Sequence, residues 1–269
     1  MGRQYSLGHL TVLGCPPPEA IHIAARCGYD FMGLRSIPLG LPGEPRYVFG
    51  DDPEMFRATR QALADTGVRL LDIEVALIAE DRLVGGYARA LTDAAELGAG
   101  HVLCNAWSGT PQFIQAQFDE LCDLAAPLGM RVQCEFVTFS EIRGLADAWR
   151  LVEASGRTNA GVLIDTLHFE RSRVRLDEID GIPADRFSYL QLCDAAYAEA
   201  PSVDELRRTA RSERLYPGEG VSPIREIVAR LPGLPLALEV THAKRIEELG
   251  YEAFARECLI RTKAYLGDA

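Results

Sequence analysis

The 269-residue chain is short of positive charge and has no long apolar run. Its 28 Lys and Arg residues stand against 39 Asp and Glu residues, which gives a formal net charge of −11. Because binding to phosphate backbones needs clustered Lys and Arg, this balance argues against a nucleic acid or an anionic membrane as partner. No apolar stretch approaches the roughly 18 residues of a membrane-spanning helix, and the first residues lack the apolar core of a signal peptide.

Paired cysteines are also missing. The seven cysteines are an odd number, and no two of them have the CxxC spacing of a redox or zinc motif. Cys104, Cys134 and Cys193 lie within strand-like apolar runs, where cysteine usually acts as a small buried apolar residue. The pattern is typical of a reduced protein, and we therefore expect a cytoplasmic location.

What the chain does contain is a regular alternation of strand-like and helix-like segments. Eight units of about thirty residues follow one another along residues 1–269 without a linker-like stretch, which predicts one (β/α)8 TIM barrel as a single domain. A doubly wound parallel sheet is the alternative, but it usually carries a glycine-rich phosphate loop after its first strand. Here residues 14–18 read GCPPP and offer few backbone donors, so the barrel is preferred.

Element boundaries follow from the apolar periodicity and from the glycines that close helices. The first strand is predicted over residues 7–13 and the sixth over residues 161–167. A helix is predicted over residues 53–66. Residues 194–223 are predicted to form a long connection, and a helical segment over residues 246–266 closes the chain.

Four polar side chains interrupt strand-like runs that are otherwise apolar. They fall near the ends of predicted strands five to eight and are Glu135, Asp165, Gln191 and Glu239. A buried carboxylate is costly unless a cation or hydrogen bonds compensate it. Barrel active sites form at the C-terminal ends of the strands, so these four side chains are expected to converge there.

The donor set of these residues suggests a metal. Carboxylates a few ångströms apart raise one another's pKa unless a cation lies between them. Oxygen donors without imidazole or thiolate favour Mg²⁺ or Mn²⁺ over Zn²⁺. The alternative is that each acid belongs to a loop hydrogen-bond network, which is the better interpretation for one such residue but not for four in matching positions.

These motifs resemble the xylose isomerase-like TIM barrel superfamily, in particular its sugar phosphate isomerase/epimerase group. The resemblance implies that one divalent metal is bound by Glu135, Asp165, Gln191 and Glu239. It also implies that His168, in the motif DTLH over residues 165–168, lies beside the metal and contacts substrate.

Two further features of the resemblance concern the substrate. Glu141, six residues after Glu135, matches a substrate-contacting Glu of the ketose epimerases. The strand-seven Gln191 and the Arg214 that precedes a Pro-Gly-x-Gly turn resemble the 3-dehydroshikimate dehydratase-like branch. An amide cannot act as a general base at neutral pH, so Gln191 is expected to bind metal only.

The chemistry that the resemblance implies is proton abstraction next to a carbonyl, with the metal stabilising an enediolate. The expected function is a divalent-metal-dependent isomerase or epimerase of a small keto-sugar or polyol. The alternative is a dehydratase, a lyase, of a 3-dehydroshikimate-like or inosose-like substrate. The candidate bases are His168, Glu135 and Glu239; a carboxylate that also binds metal is a weaker base, which favours His168.

Two other side chains are candidate substrate contacts. Arg214 is expected either to hold a carboxylate or phosphate of the substrate or to be one solvated charge among Arg207, Arg208 and Arg211. Trp107, at the end of strand four, is expected either to stack on a substrate ring or to be a core or rim aromatic residue.

Two rival classes are less favoured. The superfamily contains a DNA-repair endonuclease whose trinuclear zinc site uses several histidines, but this chain has five histidines and a net charge of −11. A non-catalytic binding barrel is opposed by the retained acids and His168. The expected partner is a small-molecule substrate, and a homodimer is compatible with the sequence.

Overall fold

The computed structural model describes residues 2–268. Eight parallel strands pair in chain order, and the eighth pairs with the first, so that the sheet closes into a barrel. This confirms the predicted (β/α)8 barrel; residues 1 and 269 of the predicted domain lie outside the described residues. The strands are β1 (Tyr5–Leu7), β2 (Phe31–Leu34), β3 (Arg69–Ile78), β4 (His101–Ala106), β5 (Arg131–Glu135), β6 (Ala160–Asp165), β7 (Leu190–Leu192) and β8 (Leu236–Leu238).

Helices follow the strands along the chain. They are α1 (Pro17–Cys27), α2 (Pro53–Thr66), α3 (Ala88–Glu96), α4 (Pro111–Ala125), α5 (Leu145–Ser155), α6 (Thr166–Arg171), α7 (Val203–Ser212), α8 (Ile224–Arg230), α9 (Ala243–Leu249) and α10 (Tyr251–Leu266). Over residues 2–268, none of them is long and apolar enough to cross a membrane.

Helix α2 shows how local sequence sets the boundaries. The Asp52 side chain accepts a hydrogen bond from the Met55 N–H, and Pro53 occupies the first turn, where its missing N–H costs nothing. Gly67 ends the helix with φ 72°, a left-handed conformation that glycine adopts without strain. The prediction for residues 53–66 is confirmed.

Two apolar clusters build the core. The larger one joins strand residues to the helices around them. The smaller one contains buried strand residues together with Tyr189, which directly precedes β7, and it fills the interior of the barrel; it consists of Phe31, Leu71, Val75, Leu103, Leu163, Tyr189 and Ala237. The interior of the barrel is thus packed with side chains.

Two strand predictions were wrong at their ends. The first strand covers Tyr5–Leu7, and His9–Val12 is a 3-10 helix, because the Thr11 hydroxyl donates to the Leu238 carbonyl and draws this segment across the barrel end. The sixth strand stops at Asp165, whose side chain accepts a hydrogen bond from the Leu167 N–H at 2.7 Å. That hydrogen bond caps helix α6, which begins at Thr166, although the apolar run had predicted that the strand continues to residue 167.

The two long segments near the C-terminus contain more structure than predicted. The connection over residues 194–223 includes α7, which begins at a capping box formed by Ser202 and Glu205. The closing segment divides into α9 and α10 at Gly250, whose φ is 75°.

All seven cysteines are unpaired thiols, and six of them are buried.

Candidate functional site

A cavity of about 280 Å³ opens at the C-terminal end of the barrel. Its lining includes Asn105, Glu135 and Glu239 at the C-terminal ends of β4, β5 and β8, and Glu74 within the second half of β3. The loop after β2 covers one side, and residues of α7 cover another. This is the location that the barrel fold predicts for an active site.

The four predicted metal ligands meet at this end of the barrel. Glu135 and Asp165 are the last residues of β5 and β6, Gln191 is paired in register with Asp165, and Glu239 follows β8 directly. All four side chains are buried. Of the four, Asp165 and Gln191 are direct partners, whereas Glu135 pairs with Leu163 and Gln191 with Ala237. The side chains converge at the barrel end as expected, and their role as metal ligands stays a prediction.

Arg214 lies among these acids. It is 3% exposed, and its Nη1 donates to Asp165 Oδ2 at 2.7 Å and to Glu239 Oε2 at 2.9 Å. The same nitrogen donates to the Glu239 carbonyl at 3.0 Å, and Nε donates to the Ala210 carbonyl at 2.8 Å. The interpretation of Arg214 as a solvated charge was therefore wrong, because its guanidinium links two of the predicted ligands.

A smaller group of donors is close enough to share one ion. Glu135, Asp165 and His168 each offer a donor atom, and the three atoms lie within 4.8 Å of one another. Glu239 does not belong to this group and is linked to Asp165 through Arg214. The geometry adds an imidazole to the candidate donors beside the predicted oxygen ligands, and a mixed set accepts Zn²⁺ as well as Mn²⁺.

His168 is held by its neighbour Thr138. The Thr138 N–H and hydroxyl lie 3.5 Å and 3.4 Å from His168 Nδ1, which leaves Nε2 without a protein partner within residues 2–268. Burial lowers the pKa of His168 to about 4, although the Asp165 carboxylate acts in the opposite direction. The ring is therefore neutral at pH 7 and can bind a metal or accept a proton.

The pKa values of the acids depend on how much positive charge each one meets. Burial, followed by the Asp165 carboxylate, raises the pKa of Glu135 to about 8. Burial also raises the pKa of Glu239 well above its usual value, against the effect of Arg214. Asp165 is equally buried, but Arg214 and His168 outweigh the burial and hold its pKa below its usual range.

Two observations test whether a cation fits here. The buried Gln191 Oε1 has no hydrogen-bond partner among the described residues, although the amide Nε2 donates to Glu239 Oε1 at 3.3 Å. The buried side chains around this cavity also carry more acidic than basic groups, because two guanidinium groups, Arg35 and Arg214, lie with four carboxyl groups. These carboxylates are Glu74, Glu135, Asp165 and Glu239. A divalent cation would supply the missing charge and a partner for the orphan oxygen.

Sequence reasoning missed two charged residues of the site. Glu74 is buried, its Oε1 has no partner within the described part of the chain, and its Oε2 lies 3.5 Å from Arg35 Nη2. Arg35 Nη1 also lies 3.5 Å from Glu44 Oε1. A signal for Glu74 was present, because Asp72 and Glu74 interrupt an apolar strand just as the four predicted ligands do. Arg35 follows β2 without any comparable signal.

The two remaining predicted substrate contacts, Trp107 and Glu141, lie in different places. Trp107 lines the cavity, and its ring packs edge-on against Phe139 with centroids 5.9 Å apart. Glu141 is exposed and lines a separate depression beside α4 and α5, together with Gln115 and Arg150. The structure thus brings Trp107, but not Glu141, to the predicted ligands.

Comparisons with known proteins agree with this architecture. The sequence model of the xylose isomerase-like TIM barrel family matches residues 21–258. A curated relative, the inosose isomerase of Halalkalibacterium halodurans, is 24% identical over 115 residues, which are 42% of this chain and 38% of that relative. The match therefore spans well under half of the relative's length.

Solved structures extend the likeness to nearly the whole chain. The IolI protein with a bound zinc atom has a TM-score of 0.81 at 14% identity, over 98% of both chains. The D-allulose 3-epimerase of Methylomonas sp., solved with D-allulose, has a TM-score of 0.70 at 17% identity, also over 98% of both chains. At identities of 14% and 17%, the similarity to these structures concerns the fold alone.

Proposed function

Because the chain belongs to the xylose isomerase-like TIM barrel family, we propose that it is a divalent-metal-dependent isomerase or epimerase of a small keto-sugar or polyol. The observation that carries this proposal is the buried group of Glu135, Asp165 and His168, whose donor atoms lie within 4.8 Å beside a small-molecule cavity. Isomerase and epimerase relatives support the class of reaction. We propose a small molecule as the partner.

The metal would be held by the acids at the strand ends. Glu135 and Asp165 are the first candidates, and Gln191 or Glu239 completes the set when His168 Nε2 serves as the base. When bound, a divalent cation supplies Lewis-acid stabilisation of negative charge on a carbonyl oxygen of the substrate. Mn²⁺, Mg²⁺ and Zn²⁺ are all candidates, because the donor set is mixed and the IolI structure contains a zinc atom. Experiment must distinguish among them.

His168 is the base we favour. Its ring is neutral at pH 7, Nε2 is free of protein partners in the described chain, and it lines the cavity. Asp165 stabilises the imidazolium that forms when Nε2 takes the proton next to the carbonyl. Glu135 and Glu239 remain candidates for returning a proton to another face or carbon, since burial raises the pKa of both carboxyl groups.

Arg214 has a supporting role in this scheme. Its Nη1 is fully engaged by Asp165 and Glu239, so we assign it to holding the two carboxylates rather than to binding a substrate anion. A buried guanidinium between two acids also lowers the cost of keeping both acids charged.

A dehydratase acting on a carboxylate-bearing substrate is the second candidate, and two arginines favour it. Arg211 lines the cavity without an ion pair in residues 2–268, whereas Arg207 and Arg208 on the same helix lie 3.7 Å and 3.1 Å from acids. Arg35 also lines the cavity, and its buried Nε has no partner within the described chain. Both guanidinium groups are suited to a carboxylate.

One experiment tests the proposal and separates the two candidates. Keto-sugars, inososes and 3-dehydroshikimate are incubated with the protein and Mn²⁺ in D₂O, and the carbon next to the carbonyl is followed by NMR. Deuterium uptake with a rearranged sugar supports the isomerase or epimerase. Loss of water with an alkene signal supports the dehydratase, and no change in any of these compounds contradicts both.

A further inference from the structure

A chain of two hydrogen bonds leads from the cavity rim to Glu135. Trp107 Nε1 donates to Asn105 Oδ1 at 2.9 Å, and Asn105 Nδ2 donates to Glu135 Oε2 at 3.3 Å. An indole N–H can only donate, so it fixes which end of the amide faces Trp107. The amide nitrogen must then face Glu135, and the alternative amide orientation is excluded.

We propose that Trp107 and Asn105 are positioning residues that divide the two carboxylate oxygens of Glu135 between two tasks. Oε2 is held as the acceptor of the Asn105 amide, and Oε1 is left for the metal or substrate. Oε1 has no hydrogen-bond partner in the described chain, and Glu135 lines the cavity. The inference rests on the proposed function, since it concerns the same site.

The position of Trp107 is itself constrained from the other side of the cavity. Its ring packs edge-on against Phe139 at an interplanar angle of 85°. Phe139 in turn packs edge-on against His168, with centroids 5.8 Å apart. Trp107 therefore connects, through one hydrogen bond and one ring contact, the residues that orient both Glu135 and His168. The indole N–H thus has a partner within the protein, and the predicted stacking of the ring on substrate stays a prediction.

The hydrogen bond from Trp107 to Asn105 and the ring contact with Phe139 can be separated by mutation. A phenylalanine at residue 107 keeps a ring against Phe139 but removes the donor that orients Asn105. The amide is then free to turn its oxygen towards Glu135, where two acceptors repel each other. Partners that orient a metal ligand typically contribute about tenfold to hundredfold to metal affinity, so Trp107→Phe is expected to weaken Mn²⁺ binding by about tenfold.

Calorimetric titration with Mn²⁺ alone tests the inference, on the full chain, for four proteins. These are the wild type, Trp107→Phe, Asn105→Leu and Trp149→Phe. The last is the matched control, because Trp149 is the only other tryptophan and packs against the core on α5, outside the cavity. Trp107→Phe and Asn105→Leu should each bind about tenfold more weakly, while Trp149→Phe binds like the wild type.

Fluorescence supplies a second readout that a merely structural role would not move. In Trp149→Phe only Trp107 emits, so a diamagnetic Mg²⁺ ion bound at Glu135 should shift its emission through Asn105. Adding Asn105→Leu should abolish that shift, even though the indole remains in place. Near-ultraviolet circular dichroism identifies any variant that has failed to fold, in which case the other variant decides.

The possible results separate the inference from the proposed function. If the wild type binds Mn²⁺ and Trp107→Phe and Asn105→Leu bind it equally well, the positioning pair is refuted while the metal site stands. If the wild type binds no Mn²⁺, the proposed function fails and the inference falls with it. Weaker binding in both variants, with a normal control, supports the inference.

Discussion

At the scale of single residues, four buried polar side chains meet at one end of the barrel, and the Arg214 guanidinium links two of them, Asp165 and Glu239. Glu135, Asp165, Gln191 and Glu239 were recognisable because each puts an oxygen into an apolar strand, and the structure brings them to one end of the barrel. Arg214 was a candidate because a Pro-Gly-x-Gly turn follows it, but its contacts with Asp165 and Glu239 were not predicted. They depend on a connection of thirty residues that folds back into the barrel mouth, and no local rule predicts where such a segment carries a side chain.

Replacing one acid by its amide tests the site directly. In Glu239→Gln the side chain keeps its shape, and Arg214 keeps Asp165 as a partner, so the protein should fold. Losing the carboxylate should reduce deuterium uptake by substrate about hundredfold. Glu226→Gln, at an exposed residue of α8, is the control and should behave like the wild type. Normal turnover by Glu239→Gln would refute the site.

A second residue-scale prediction concerns the buried Asp72, which accepts a hydrogen bond from the Tyr189 hydroxyl at 3.0 Å. Burial, with a contribution from Glu74, raises the pKa of Asp72 from 3.8 to about 8. Between these values the folded state holds a proton that the unfolded state has lost. The free energy of unfolding therefore falls as pH rises through this window, and the loss is complete above about pH 8.

Asp72→Asn removes this titration and keeps an oxygen for Tyr189. Its free energy of unfolding should exceed that of the wild type at pH 8 by an amount on the order of 5 kcal/mol. The difference should shrink towards pH 5. Urea unfolding at both pH values measures it, and a difference that does not change with pH would contradict the assigned pKa.

At the scale of elements, the boundaries of helices and strands were predicted correctly where a local sequence signal ends the element. They were predicted wrongly where a contact with a distant part of the chain ends it. Helix α2 has its signals in or directly beside its own sequence, namely Asp52 before it, Pro53 at its start and Gly67 after it, and its bounds were predicted correctly. Strand β1 is shorter than predicted because Thr11 bonds to Leu238, which lies at the far end of the chain. The apolar run alone contains no information about that partner.

Asp194 offers an element-scale test. It follows β7 and accepts hydrogen bonds of 2.9–3.0 Å from the N–H groups of Ala195, Gly218, Gly220 and Ser222. A Cβ on Gly220 would lie 2.4 Å from Asp194 Oδ1, so the turn closes tightly around the carboxylate. This carboxylate thereby fixes the turn that follows Arg214.

In Asp194→Asn an amide nitrogen would face backbone N–H donors. The free energy of unfolding should fall by about 3 kcal/mol, and Mn²⁺ affinity should fall with it because Arg214 loses its support. Asp185→Asn, at an exposed residue, is the control. Thermal unfolding and titration of both variants measure the effects; unchanged stability in Asp194→Asn would show that the turn does not depend on the carboxylate.

At the scale of the whole molecule, the repeated strand–helix units predicted the barrel, and the barrel predicted where the site lies. Composition and fold could not predict the reaction, because one fold hosts many reactions and the side chains around the cavity decide among them. Here the cavity is lined in part by the loop after β2, including Arg35, and by Arg211 of α7. These segments are positioned by long-range contacts, so the substrate-facing side chains were the least predictable part of the molecule.

Metal binding should be visible in the stability of the entire chain. An ion that binds only the folded state at a hundred times its dissociation constant stabilises that state by about 2.7 kcal/mol. We expect Mn²⁺ to raise the unfolding temperature of the wild type, and excess chelator to lower it again. Glu135→Gln should show a much smaller shift, and an equal shift in that variant would place the ion elsewhere.

Anomalous diffraction locates a bound metal ion within the barrel. Crystals soaked in Mn²⁺ are measured on both sides of the manganese absorption edge. We expect one strong difference peak at the C-terminal end of the barrel, within bonding distance of Glu135 and Asp165. An absent peak, or a peak away from these two carboxylates, would refute the proposed metal site.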